Sequence, residues 1–510
     1  MFSRREALKA VGLATAGQAV APRSASGFVP IHNWDRYDWG VAPAIRDRLY
    51  QGPFPEELVP SWDVVMAPTP SSDVVPNYGM GLVTYVWDEA GQKKTGKTLE
   101  RSIEDLVKIP LGTCVYMRVD WRHVHKAPGR FEPDPHWKLT FEIAKHYGKR
   151  VAFRVQLGNP NIPTLAMPDF VAAKVPLVRM GEWAGKTQYE PRYDHPEYQA
   201  AFAELLGWLA TYDGHPQLEY VDTLMYGFWG EGHTWPFVNP RHPFPDKATA
   251  ERTLVGMFEA QRAAFPRTPL ATNTQPDFSH VGNSELLDRS IRSFNWLRTD
   301  TIYIENEQIE ALSNRPPWVG ATIEVGTSDG SPESLELDDG VPHTENVLAH
   351  VKDVGANYFS LWNWQRISAE GLTRYYEQYP AGFDALARSI GYRVRPAWVW
   401  RYAKDGHPGL VIGFANDGIA GIPGALRVRV ASADGRVDVS GSLDPGYPLP
   451  GKIRQAQFPL PDGTDWRGLR VSAELEVKGV RHPVRWACRQ KLNQNGSLTL
   501  RPMPGVSDVN

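Results

Sequence analysis

From residue 81 onward, short runs of β-branched and aromatic residues alternate with segments whose apolar positions recur at helical spacing. Such alternation marks strands joined by crossover helices. The pattern predicts strands at 82–87, 114–119, 150–156, 220–227, 270–274, 291–296, 319–324 and 357–363. Helices are expected over 98–108, 135–147, 195–212 and 372–390. In the first of these, Ile103, Leu106 and Val107 share one face, and Thr98 is placed to cap the start. Gly148 can supply a left-handed stop after the second. A long Pro-rich insertion, 160–194, follows the third strand.

Eight strand–helix units predict an α/β protein whose body is a (β/α)8 TIM barrel, a fold of typically about 250 residues before insertions. The competing open, doubly wound sheet lacks its mark, because no glycine-rich phosphate loop follows the first strand. After residue 393 the texture changes to short alternating runs punctuated by Gly, Pro, Asn and Asp. Segments 410–414, 425–430, 436–439, 469–477 and 484–488 read as strands of a small all-β sandwich. At the amino terminus, Ser3-Arg4-Arg5-Glu6-Ala7-Leu8-Lys9 resembles the twin-arginine export signal, with Ala7 where Phe is usual. The apolar run that follows, 10–21, is too short to span a membrane and ends in Ala19-Val20-Ala21, a small-x-small cleavage pattern. The expected organisation is therefore a signal peptide at 1–26, a barrel at 27–392 and a sandwich at 393–510, in a periplasmic or secreted protein that leaves the membrane after signal cleavage.

Composition narrows the partners. Hydrophobic residues make up 42% and charged residues 22%, so the chain is expected to fold throughout. Formal net charge is -3, which gives no field to gather nucleic acid. The 18 Trp and 20 Tyr are more than a core of this size needs, and aromatic rings can bury the apolar face of a sugar while their polar edges hydrogen-bond. Only Cys114 and Cys488 occur, far apart, which excludes a disulfide scaffold and suggests two isolated buried thiols. No zinc or EF-hand spacing appears, and no cofactor is implied.

In a barrel of this kind the chemistry sits at the carboxyl ends of the strands. The residues there are Asp88, Asp120 with Trp121 and Arg122, Gln156, Glu231 and His233, Asn273, Asn295, Glu324, and Trp362-Asn363-Trp364. Carboxylates, amides and indoles together are what hydrolysis of a sugar acetal requires. Glu231 is flanked by Gly230 and Gly232, with Trp229 and Trp235 as expected walls that would raise its pKa and suit it to a general acid. A turn cap, or a pair with Arg241, is the structural alternative. Glu324 closes an apolar run, where a charge is costly unless paired or functional. Arg118 and Arg154, on early strands, read as orienters of such a carboxylate. The expected substrate ligands are Asp120, Trp121, Arg154, Trp229, His233, Trp235, Asn273, Trp362, Asn363 and Trp364.

Carboxylates closing strands four and seven resemble the retaining glycoside hydrolase clan A, in its β-galactosidase-like branch. The stretch 116–157, with Asp120-Trp121, Phe131-Glu132-Pro133 and Lys149-Arg150-Val151, is similar to the corresponding segment there. The tail 410–430, including Phe414-Ala415-Asn416-Asp417-Gly418, resembles the sandwich attached to poorly characterised bacterial members. The resemblance implies Glu231 as acid/base, Glu324 as nucleophile, and Trp362 or Trp364 as the strand-eight tryptophan. This chain has Gly230 where many members carry Asn before the acid. Glu305 is the alternative carboxylate if strands six and seven are misplaced by one unit.

A carbohydrate is thus the expected substrate, cleaved by a retaining mechanism, with the long insertions favouring exo action. A barrel that binds carbohydrate without turnover is the second reading, which the Gly230 departure favours. An oxidoreductase carried by twin-arginine export ranks last, since no flavin or nicotinamide site is visible. Sugar identity, anomer and oligomeric state do not follow from the sequence.

Overall fold

The computed structural model describes residues 63–87, 96–162, 164–183, 185–232, 243–274, 283–299, 311–324, 343–361, 372–373, 376–377, 380–404 and 406–502. The expected signal peptide, 1–26, lies outside them.

Eight strands close into one barrel: β1 (Gly81–Trp87), β2 (Gly112–Asp120), β3 (Arg150–Gln156), β4 (Leu218–Asp222), β5 (Leu270–Asn273), β6 (Trp296–Thr299), β7 (Ala321–Ile323) and β8 (Tyr358–Ser360). Every neighbouring pair is parallel. Helices α1 (Leu99–Val107), α2 (Pro135–His146), α3 (Pro196–Leu209), α4 (Lys247–Ala264), α5 (Asn283–Arg292), α6 (His343–Asp353) and α7 (Pro380–Ala387) lie between and after them in sequence. Two expected boundaries are made by the expected chemistry. Thr98 Oγ1 accepts from the amide of Arg101 at 3.2 Å to start α1, and Gly148 adopts φ 66 just past α2.

The barrel interior changes character along its axis. Towards the amino ends of the strands it is aromatic, with Tyr220 5.4 Å from Tyr358 and 6.0 Å from Trp296. Towards the carboxyl ends it is ionic. Arg118 on β2 and Arg154 on β3 are register partners, and Arg298 on β6 is paired with Thr322 on β7.

Within the barrel the structure moves two strands. The sixth does not run over 291–296, because α5 extends through Ile291 and Phe294 turns the chain at φ 56. Strand β6 starts at Trp296, so Asn295 lies at its amino end, its Oδ1 accepting from the amide of Leu270 at 3.0 Å and from Lys478 Nζ at 2.8 Å. A left-handed Phe carries the stop that glycine usually signals, so the apolar residues of 291–296 resembled a strand. The fourth strand is also earlier than expected, ending at Asp222 rather than Gly227. The long Pro-rich insertion 160–194 contains a hairpin of Leu177–Trp183 with Lys186–Pro191.

The carboxyl-terminal strands are β9 (Val394–Lys404), β10 (His407–Asn416), β11 (Ala425–Ala431), β12 (Asp438–Ser442), β13 (Ile453–Pro459), β14 (Arg470–Val477), β15 (Val480–Val484) and β16 (Leu498–Thr499). They form two antiparallel sheets, ordered β9-β10-β13 and β12-β11-β14-β15, with β16 on β14. A short strand before the barrel, Asp63–Met66, extends the first sheet by pairing with β9. The strand expected at 484–488 is instead β15, turned back on β14 through Lys478 (φ 47) and Gly479 (φ 79), a left-handed pair suited to a two-residue hairpin. Cys114 and Cys488 are both free and buried.

Candidate active site

Glu231 is delivered by a turn rather than by a strand. After β4 the chain reaches Gly227 (φ 79) and forms a short 3-10 turn over Phe228–Gly230. The turn is closed by the amide of Glu231 donating to the Phe228 carbonyl at 3.1 Å and that of Gly232 to Tyr226 at 2.9 Å. Trp229 stands at φ 54, a left-handed conformation that costs a non-glycine residue about 1–3 kcal/mol. Part of that is offset where its carbonyl accepts from Arg154 Nη1 at 2.9 Å.

Three arginines, three carboxylates and one tyrosine meet at the carboxyl end of the barrel. Arg154 Nη1 donates to Glu231 Oε1 at 2.8 Å, and its Nη2 stands 3.0 Å from Asp222 Oδ2. Arg298 places Nε 3.2 Å from the same Asp222 oxygen and Nη2 against Glu324 Oε2. Tyr116 donates its hydroxyl to Asp222. Arg118 Nη2 lies 3.3 Å from Glu231 Oε1 and 3.4 Å from Glu324 Oε2, so those two oxygens are at most about 6.7 Å apart. Glu231 is 7% exposed and Glu324 5%, so both carboxylates sit at the wall of the barrel rather than in bulk water.

Three guanidiniums meet three carboxylates, and so the cluster is nearly neutral as a whole. Burial opposes the charge of Arg118, but the phenol groups of Tyr85 and Tyr116 and the Glu231 carboxylate outweigh it and raise its pKa. Its guanidinium carbon stands 5.3 Å from the Tyr85 ring centre and 5.7 Å from that of Tyr116. Arg298 is pulled the other way by burial and by the positive charge of Arg154, against Asp222 and Tyr116. With each carboxylate matched by a cation, the cluster has no excess negative charge to hold a metal. Among the described residues no group of His, Cys, Asp and Glu could do so.

The environment of Glu231 differs from the expected one. Arg154 at 2.8 Å and Arg118 at 3.3 Å from its carboxylate oxygen favour the charged form, against the expected raising by indoles, and Trp235 and Arg241 lie outside the described residues. Asn273, at the end of β5, donates to the main-chain carbonyl of Glu231 at 2.9 Å and so anchors the turn. Asp120 is buried and accepts from Asn159 Nδ2 at 3.0 Å and from Gln156 Nε2 at 3.4 Å. Trp121 is placed differently from the expected sugar platform. It is fully enclosed, donating to His125 Nδ1 at 3.1 Å with its ring edge-on to Tyr198, and it packs the loop. Trp229 is half-buried on the turn itself. The positions His233, Trp235, Trp362, Asn363, Trp364 and Glu305 lie outside the described residues.

Sequence reading missed Asp222 and Arg298. Asp222 carried a usable signal, a carboxylate inside an apolar strand where only a paired charge is tolerated. Arg298 was hidden by the misplaced sixth strand.

No protein-family model matches this chain, and no curated protein matches it. Among solved structures, the chain is similar to the catalytic domain of β-amylase from Paenibacillus polymyxa, at 10% identity and TM-score 0.38, over 59% of this chain and 97% of that one. It is also similar to endo-glycoceramidase II from Rhodococcus sp., at 12% identity and TM-score 0.36, over 76% and 97%. A β-galactosidase from Marinomonas ef1 aligns at 11% identity and TM-score 0.38, over 61% and 59%.

Proposed function

We propose that this chain is an exported glycoside hydrolase that cleaves glycosidic bonds with retention, using Glu324 as nucleophile and Glu231 as acid/base. One observation carries the reading: two carboxylates from different barrel units converge on a single guanidinium nitrogen of Arg118, at the end of the barrel where such enzymes work. The bound of about 6.7 Å on these two oxygens admits the retaining separation of about 5–5.5 Å and leaves only the lower edge of the inverting range of about 6.5–9.5 Å.

In the first step Glu231, which must take up a proton against the pull of Arg154 and Arg118, gives that proton to the glycosidic oxygen as the bond from that oxygen to the anomeric carbon breaks. Glu324 supplies the electron pair that forms an ester with the same carbon. In the second step Glu231 takes a proton from water, the water oxygen attacks the anomeric carbon, and Glu324 leaves as carboxylate. Arg118 and Arg298 hold Glu324 in its ionised, attacking state. The hairpin of the long insertion supports exo action, as a wall beside the carboxyl end of β3.

A second reading, a barrel that binds carbohydrate without turnover, is favoured by the neutral six-membered ionic cluster, which is complete without substrate. A panel of nitrophenyl glycosides separates the two. Hydrolysis by the wild type that is lost in both Glu231→Gln and Glu324→Gln supports the enzyme. Binding without hydrolysis across the panel supports the second reading.

A further inference from the structure

At the opposite end of the barrel, where β3 and β4 begin, a cavity of about 680 Å³ lies between the barrel and strand β15. Its size falls in the range that takes an organic ligand rather than a lone ion. Four arginines line it, Arg150, Arg267, Arg481 and Arg485, and no acidic residue does. Two of them are already paired: Arg150 with buried Glu219, and Arg481 with Glu476 at 3.1 Å. Arg267 and Arg485 have no carboxylate partner among the described residues.

The main chain that carries both arginines is fixed by side-chain hydrogen bonds. Arg485 sits on a segment clamped from both sides by Asn77, whose Oδ1 accepts its amide at 2.9 Å while Nδ2 donates to its carbonyl at 3.1 Å. Arg267 lies over Gly214 (φ +70), where a Cβ would stand 2.6 Å from the guanidinium carbon, so glycine there makes room for the charge. The amides of Arg267 and Thr268 both donate to Asp213 Oδ1, at 3.1 and 2.8 Å. His482 stacks on Tyr78 with ring centres 3.5 Å apart, and burial pushes its pKa down to about 4. It is therefore a neutral hydrogen-bonding group, and it covers one face of the buried Tyr78, which leaves no broad ring for a nucleobase. The side-chain amides of Gln494 and Asn495 complete a lining suited to hydroxyls.

We propose that this cavity binds an acidic oligosaccharide, with two carboxylates of the ligand seated on Arg267 and Arg485. The site is separate from Glu231 and Glu324 and does not depend on their being catalytic. Calorimetric titration of the full chain with trigalacturonate tests it, beside maltotriose, inorganic sulfate and trithymidylate. The expected result is saturable binding of trigalacturonate alone that fades at about 1 M salt, where the Debye length falls to about 3 Å. Arg267→Gln and Arg485→Gln should each weaken it at least tenfold, while Arg436→Gln, exposed and outside the cavity, leaves it unchanged. Absent binding, binding untouched by both cavity substitutions, or equal affinity for sulfate or trithymidylate would overturn the proposal.

Discussion

Arg154 donates through one nitrogen, Nη1, to the main-chain carbonyl of strained Trp229 at 2.9 Å, and that same nitrogen holds the Glu231 carboxylate at 2.8 Å. The turn and the carboxylate it carries are thus fixed by one planar group, while its second nitrogen is committed to Asp222. A lysine has the charge but not the fork. Arg154→Lys is expected to remain folded, to lose about 2–3 kcal/mol of stability, and to fall at least tenfold in kcat/KM. Urea denaturation and steady-state kinetics check the two halves. An unchanged kcat/KM would mean that the turn is held without the guanidinium.

Gly230 stands where the resembled clan often has Asn. Its requirement is conformational rather than spatial: φ is +70, and the nearest atom to an added Cβ is 3.5 Å away. Asn tolerates the left-handed region better than other side chains. Gly230→Asn should therefore cost no more than about 1 kcal/mol, whereas Gly230→Val should cost clearly more, because branching at Cβ opposes that conformation. Thermal unfolding of the two variants decides it, and equal losses would place the constraint in packing instead.

These relationships were unevenly legible in the sequence. The barrel followed from alternation, because parallel strands and crossover helices impose different periods on one chain. The ends of β3 and α2 could be read to within a residue, since Gln156 and Gly148 close their elements by local chemistry. Glu231 and Glu324 could be found because charges next to glycine or at the end of a buried strand stand out. Part of their neighbourhood could be found as well, since Arg118 and Arg154 read as orienters of a carboxylate and stand against Glu231. Asp222 and Arg298, arriving from two further strands, could not, and the second was hidden by a helix that stops on Phe294 without a glycine. Trp121 shows the converse error. An indole at a strand end was taken for a sugar platform, and only packing against Tyr198 and His125 reveals it as filler.

Glu190, in the hairpin of the insertion, is a buried carboxyl that accepts from the Tyr193 hydroxyl, which in turn accepts from the amide of Gly227 at 3.0 Å. Burial pushes its pKa from 4.5 up to about 7, against the Tyr193 hydrogen bond. A carboxyl whose folded pKa is raised keeps its proton when the unfolded chain has lost it. Its contribution to stability therefore falls as pH rises from about 4.5 to about 7. Glu190→Gln keeps the acceptor for Tyr193 and removes the titration. The stability of Glu190→Gln relative to wild type should be greater at pH 8 than at pH 4.5 by roughly 3 kcal/mol. Denaturation of both proteins at the two pH values measures it, and a difference that does not change with pH would refute the assignment.

The central claim is that Glu231 and Glu324 are one catalytic pair, and chemical rescue of single alanine variants tests it most directly. With a nitrophenyl glycoside that the wild type cleaves, Glu324→Ala and Glu231→Ala should each fold and lose at least about a thousandfold in turnover, or roughly 4 kcal/mol of transition-state stabilisation. Azide should restore Glu324→Ala and give a glycosyl azide of inverted configuration, because the anion occupies the space of the lost nucleophile. Glu231→Ala should be harmed least on substrates with the best leaving groups, which need little protonation. Two folded variants that each keep more than about a tenth of wild-type activity would contradict the account and make Glu305 the next carboxylate to test.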